Sequence, residues 1–400
     1  MAIPAALARR RDYAGPAIFS YGFRPFFTGG AVWAALAIIL WIPLYTGDLT
    51  LPSAISPLHW HVHEMLYGYV AAVIAGFLLT AIPNWTGRLP VCGAPLAALA
   101  ALWLAGRIAM LSTATIGLVP AAVIDVAFLA SLATVAMREI IAGKNWRNLR
   151  VLAIVALLIL GNVVFHIETI WYGAADYGIR LGLAAVMLLI SLVGGRIIPS
   201  FTRNWLVREN PGRLPQPFGR LDMVTIAFSA VALAAWVIMH EHAVAGGLLL
   251  IAGALHIVRF VRWAGDRTLA DRLVLVLHVA YAFVPTGFIL IGASILWPAV
   301  LPASAGIHAW TAGAIGMMTM AVMTRASLGH TGQALAASPA TQVIYALVFI
   351  AAVTRITAAF TGDMVFMHIS ATAWVLAFGG FAAVYGPRLI GRPPVWLRRS

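Results

Sequence analysis

The chain of 400 residues contains a single cysteine, Cys92, and only 10% of its residues are charged. One cysteine excludes a disulfide framework, a Cys-X-X-Cys redox or zinc motif and covalent haem attachment through Cys-X-X-Cys-His. A soluble domain carries about 25% charged residues; with so few here, a water-soluble enzyme is excluded as well. Acids are the scarcer sign, 13 Asp and Glu against 26 Lys and Arg, for a formal net charge of +13. No Walker A lysine motif, Rossmann fingerprint or serine nucleophile elbow occurs.

What the chain has instead is apolar length. Hydrophobic residues make up 62% and the mean hydropathy is +0.93, which leaves a polytopic membrane protein. Lipid offers no partner to an unpaired backbone group, so apolar runs of about 17–25 residues are read as spanning helices. The expected fold class is all-α with twelve transmembrane helices, at 25–45, 58–82, 95–113, 117–137, 150–167, 178–199, 222–239, 244–262, 272–296, 303–324, 340–360 and 364–385. They form one expected domain, 23–386, between basic tails at 1–22 and 387–400. The start, Met1–Tyr21, has three Arg with no apolar core after them, the pattern of a tail rather than of a signal peptide. The longest loop, Phe201–Leu221, is punctuated by Pro211, Pro215 and Pro217, so no extramembrane domain is expected.

Loop charge alternates with this count. Odd connections carry Asp48, Glu168 with Asp176, Glu241 and Asp363, and no basic residue apart from Arg180 at a helix start. Even connections carry Arg88, then Arg138, Lys144, Arg147 and Arg150, then Arg203, Arg208, Arg213 and Arg220, then Arg259, Arg262 and Arg267, then Arg325. The tails add Arg9, Arg10 and Arg11, and Arg388, Arg392, Arg398 and Arg399. Positive residues collect on the cytoplasmic side, which places both termini there and explains the charge without nucleic acid. A faint likeness among Pro83–Gly87, Pro199–Arg203 and Met323–Ser327 suggests three sets of four helices.

The 11 histidines nearly match the 13 acids in number, so imidazole is the main metal-ligating chemistry available. Threaded through the topology, His59, His61, His63, His166, His240, His242, His308 and His368 fall in an outer layer, and His256, His278 and His330 in an inner one. The richest stretch is His59-Trp60-His61-Val62-His63-Glu64, whose helix is expected to start at Ser56-Pro57, an N-cap followed by proline at the first helical position. At about 100° per residue, His59, His63 and Tyr67 share one face while His61 and Glu64 point elsewhere, so His61 and His63 are expected at different sites, or one of them orients the other's site. Glu168, two residues after His166, is a candidate acceptor for its imidazole N–H. His308 and His368 enter from the outer ends of their helices and are placed to converge with the second helix. His240 and His242 read as loop residues and His256 as interfacial beside Arg259. His278 lies roughly 9 Å inside the boundary marked by Arg272. Arg107, Arg180 and Arg355 sit in or near outer helical halves, where each needs an anion or carbonyl partner. Asp125 can neutralise one, and the carboxylates of a haem are candidates for the others. Imidazole without thiolate suits iron, copper and zinc alike.

Several segments together resemble the NnrS family. They are Gly22-Phe23-Arg24-Pro25-Phe26-Phe27, Trp60-His61-Val62-His63-Glu64-Met65, Ala75–Gly87, Gly161-Asn162-Val163-Val164-Phe165-His166, Gly194–Asn204, and the region from His308 through Met323–Gly332. The resemblance implies twelve spans, non-covalent haem and copper, a bacterial inner-membrane location, and a role in the nitric oxide response, nitrosative stress and denitrification. His59 is less typical of the family than His61 and His63. More loosely, histidine-bearing helices 2 and 10 are similar to the core subunit of haem–copper oxidases, although helix 6 here has no histidine. On this reading the metal candidates are His61, His63, His166, His308, His368 and His278. His63 is expected as an axial haem ligand with His308 or His368 opposite, and His61 with His166 at copper. Arg107, Arg180 and Arg355 are the cofactor-binding candidates, with Arg107 and Arg355 expected on the propionates. Two other readings remain open. One is a secondary carrier with helices broken around Pro199 and Pro285; the other is a non-catalytic metal-binding assembly factor.

Overall fold

Inside lipid each apolar run must close its own backbone hydrogen bonds, and in this computed structural model every long element among the described residues, 13 and 15–391, is a helix. Arg9, Arg10, Arg11, Arg392, Arg398 and Arg399, expected in the tails, lie outside the described residues. The long helices are α1 (Phe23–Thr46), α2 (Pro57–Thr86), α3 (Ala94–Leu111), α4 (Leu118–Ala142), α5 (Leu149–Tyr172) and α6 (Tyr177–Glu209). They continue with α7 (Arg220–Ile238), α8 (Ala243–Val261), α9 (Arg272–Leu296), the composite α10 (303–330), α11 (Pro339–Thr361) and α12 (Met364–Ile390). Among the described residues, eleven helices are long and apolar enough to cross a membrane.

The run expected as a tenth span is not one regular helix. α10 consists of Ala303–His308, a π-turn at Ala309–Ile315 and Gly316–His330. α2 has the same construction, Pro57–His63, a π-turn at Glu64–Val70, then Ala71–Thr86. In both, a histidine is the last residue before the wide turn, and a glycine that touches a neighbouring side chain lies within it, Gly68 beside Arg107 and Gly313 beside Phe283. A π-turn inserts a residue into the helical register and is concentrated at functional sites.

Local chemistry explains the helix ends. Ser56 accepts from the His59 N–H with Pro57 in the first turn, the start read from the sequence. Ser338 and Asp271 cap α11 and α9 in the same way. α5 ends on Gly173 with φ 72°, a left-handed conformation that a side chain resists. The final aromatic pair of that helix, Trp171 and Tyr172, is 77% and 81% exposed, as expected where a membrane meets water. Pro199 and Pro285 do not break their helices; α6 and α9 run through both. The broken helices that a carrier site would use are therefore absent from these two positions.

The chain divides into two compact units. Among the described residues, the first comprises those up to 182, 322–334 and 378–391; within it α1 packs on α2, α2 on α4, α3 on α4 and α4 on α5. The second comprises 183–321 and 335–377; within it α7 packs on α8, α8 on α9, and the first part of α10 on α9 and α11.

Candidate metal centre

A polar side chain inside lipid must find its partner within the protein, and in the first unit four helices supply one another's. α2 contributes His63 and Glu64, α3 Arg107, α4 Asp125, and α5 Asn162 with His166. Asn162 and His166 are four residues apart and share a helix face. All six side chains are buried, with His63 and Glu64 at 0% exposure.

The distances describe one connected cluster. His63 Nδ1 lies 3.0 Å from Glu64 Oε1, and His63 Nε2 lies 3.1 Å from Asp125 Oδ2 and 3.2 Å from Asn162 Oδ1. His166 Nε2 is also 3.1 Å from Asp125 Oδ2, and Asn162 Nδ2 donates to the same oxygen at 2.8 Å. Arg107 Nη1 donates to both Glu64 oxygens at 2.7 Å, while its Nη2 donates to Asp125 Oδ1. Arg107 Nε has no hydrogen-bond partner.

Carboxylates only accept hydrogen bonds, so His63, facing one at each ring nitrogen, carries two protons when no other cation is present. The imidazolium and Arg107 then balance Glu64 and Asp125. If the Nε2 proton leaves, one negative charge remains and the imidazole presents a lone pair. Its Nδ1–H still donates to Glu64, the arrangement by which carboxylates orient and strengthen metal-binding histidines. One donor atom from each of His63, Asp125 and His166 lies within 4.8 Å of the others, a separation one metal ion can bridge.

The backbone makes room for this cluster at Gly68. A Cβ there would sit 2.5 Å from Arg107 Nη1 and 3.0 Å from both Glu64 Oε2 and Trp33 Nε1. Arg107 is held by two carboxylates and has nowhere to withdraw. Gly68→Ala is therefore expected to cost about 1–3 kcal/mol as overpacking, measured by denaturant titration in detergent; a change below the error of that titration would show the guanidinium free to shift. Tyr67 closes the cluster's flank, its hydroxyl donating to Gly178 O at 2.7 Å.

The sequence candidates separate as follows. His63 and His166 come together, but His61 lies outside their group, its ring stacked on Trp41 at 4.3 Å and 13°. The expected pairing of His61 with His166 is thus replaced by His63 with His166. Glu64, expected on another face, nevertheless reaches His63, its Oε1 lying 3.0 Å from Nδ1 while both residues keep ordinary right-handed helical backbone. Arg107 is committed to Glu64 and Asp125 rather than open to a propionate. Glu168 does not reach toward His166; it accepts from the Tyr177 and Gly178 N–H groups at the start of α6. Arg180 stacks over Tyr177 at 4.8 Å, and Arg355 is half-buried on α11.

In the second unit, His308 Nδ1 donates to Ser304 O at 2.7 Å, which leaves Nε2 as the ring's lone-pair nitrogen. His368 is exposed on α12. His278 is buried and donates from Nε2 to Thr202 Oγ1 at 2.8 Å, since the Thr202 hydroxyl itself donates to Ile198 O. His256, read as interfacial, is instead fully buried. Asn162 was missed as a cluster member; its signal was the four-residue spacing to His166.

A family model described as NnrS protein matches residues 17–392, nearly the whole chain. No curated protein matches it.

Proposed function

The chain belongs to the NnrS family, and we propose that it is a haem- and copper-binding membrane protein of the bacterial nitric oxide response, with copper held by His63, His166 and Asp125. The observation that carries this reading is the convergence of two imidazole Nε2 atoms on one carboxylate oxygen, each at 3.1 Å. Two imidazoles and a carboxylate suit a divalent first-row metal, and without thiolates copper(II) is the tightest-bound of the series. The residual negative charge of the deprotonated cluster favours a cation there. Glu64 fixes the His63 tautomer, Arg107 holds both carboxylates in place, and burial excludes water.

Were haem bound, His308 would be suited to hold its iron through Nε2, because its Nδ1–H is already used by Ser304 O. Bound haem and copper supply sites for nitric oxide, a small, neutral, lipid-soluble molecule that reaches a buried centre without a hydrophilic channel. The location that follows is the bacterial inner membrane, with the metals toward the periplasmic side.

The test is metal analysis and an absorption spectrum of protein purified after expression with haem and copper supplied. Bound copper and a Soret band are expected, and His308→Ala is expected to lose the Soret band while keeping copper. Wild-type protein with neither metal overturns the reading; a Soret band unchanged in His308→Ala overturns the haem assignment alone.

A further inference from the structure

The second unit contains a buried polar chain that the metal reading does not use. Asp222 on α7 accepts from Arg259 Nε of α8 at 2.6 Å and from the Gly219 N–H at 2.8 Å. Arg259 Nη1 donates to Ser191 O at 2.9 Å and to the Tyr281 hydroxyl of α9 at 3.0 Å. The Tyr281 hydroxyl lies 2.8 Å from His256 Nδ1, and His256 Nε2 lies 3.0 Å from Ser229 Oγ. Tyr281, His256 and Arg259 are each 0% exposed.

The direction of every proton follows from the donor inventory. A guanidinium cannot accept, so the Tyr281 oxygen accepts from Arg259 and its own hydrogen must go to His256 Nδ1. Ser229 donates to Thr225 O at 2.7 Å, so it accepts from His256, which therefore carries its proton on Nε2. The result is a phenol donating a hydrogen bond to the lone pair of a neutral imidazole in a dry interior. Tyr67 differs: its hydroxyl donates to a backbone carbonyl, which cannot take up a proton.

Aromatic rings surround the pair. Trp263 lies 4.5 Å from Tyr281 and the half-buried Phe260 lies 6.0 Å from it. On the other side Phe288 stacks on His256 at 5.1 Å and meets Trp310 at 4.9 Å. Gly195 admits the arginine to this place, since a Cβ there would lie only 1.7 Å from Arg259 Nη2. 

We infer that Tyr281 and His256 form a redox-active pair, in which Tyr281 gives one electron to a high-potential transition-metal complex, an outer-sphere one-electron oxidant, while its hydroxyl proton moves to His256 Nδ1. The O–H bond of Tyr281 breaks and an N–H bond forms on His256. The electron leaves to the oxidant, which is reduced by one unit, and the products are a neutral tyrosyl radical and an imidazolium. Re-reduction returns the proton along the same hydrogen bond. Asp222 balances Arg259, which leaves His256 as the group that takes the new positive charge. The neighbouring rings provide a short route for the electron, and full burial keeps the radical from reductants in solution.

The test uses the full-length protein in detergent, oxidised by flash-generated ruthenium(III) tris-bipyridine, with electron paramagnetic resonance as the readout. A tyrosyl signal is expected, with an exchangeable proton coupled to the radical oxygen and slower formation in D2O. Tyr281→Phe retains the ring and is expected to remove this signal. His256→Gln keeps an acceptor that cannot hold the proton and is expected to slow radical formation roughly 100-fold, the scale of a lost positioned base. Should either variant not fold, the wild-type readouts stand alone. A wild-type protein with no tyrosyl signal, one lacking the exchangeable coupling, or an unchanged signal in Tyr281→Phe overturns the inference.

Discussion

Arg107→Met is expected to destabilise the protein by about 3–5 kcal/mol, because removing one partner strands a buried charge. The guanidinium is 1% exposed and touches both Glu64 and Asp125. Without it, two carboxylates face one imidazolium, all three of them buried. Methionine fills a similar volume, so the loss reports charge rather than a cavity. Denaturant titration in detergent measures it. The companion variant, Glu64→Gln with Arg107→Met, restores the charge balance and is expected to recover about 1–3 kcal/mol of that loss, the coupling usual for groups in one network. A single variant as stable as the wild type, or a double no better than the single, would show that the cluster is not held by its charges.

His166→Ala is expected to abolish copper binding, whereas Glu64→Gln is expected to weaken it by roughly 10–100-fold. The two substitutions separate a donor from the group that orients a donor. His166 supplies one of only two imidazole nitrogens near Asp125 Oδ2; its loss leaves two donor atoms, too few to close a copper site. Glu64 is proposed to touch no metal but fixes which nitrogen of His63 carries the proton. Glutamine can still accept from Nδ1–H, without the negative charge that strengthens the imidazole as a ligand. Competition titration with a chelator of known affinity reads both effects. Equal affinities in the wild type and His166→Ala would remove copper from this cluster.

The helical class was legible from the apolar runs alone, since lipid permits few other ways to satisfy a backbone. So was the start of α2, because Ser56 and Pro57 are local signals whose chemistry needs no distant partner. That Asp125 would neutralise one of Arg107, Arg180 and Arg355 was legible too, as opposite charges in lipid must pair; that its partner is Arg107 was not. The tenth run was harder: its composition marks it as apolar, but no pattern in it announces the π-turn at Ala309–Ile315.

The identity of the metal-site members shows the limit most clearly. A helical period of about 100° per residue assigns a residue to a face of its own helix, and on that basis Glu64 belonged away from His63. Its side chain nonetheless bends to His63 Nδ1, toward partners the period cannot see, the imidazole beside it and Arg107 on a packed neighbour. His61 and His63 were read onto different faces, and the period could not say what each face meets: one ring stacks on Trp41 and the other meets Asp125. His256 looked like an edge residue beside Arg259, yet its ring lies within reach of Tyr281.

By itself, then, the sequence determined an all-helical membrane chain, with nearly as many histidines as acids and a single cysteine. Only the tertiary structure decided that His63 joins His166 rather than His61, that Glu64 turns inward, and that Tyr281 faces His256. The physical reason is the same in each case. Hydropathy and charge act on one helix at a time, whereas a hydrogen bond between buried side chains depends on which helices pack together and in what rotation.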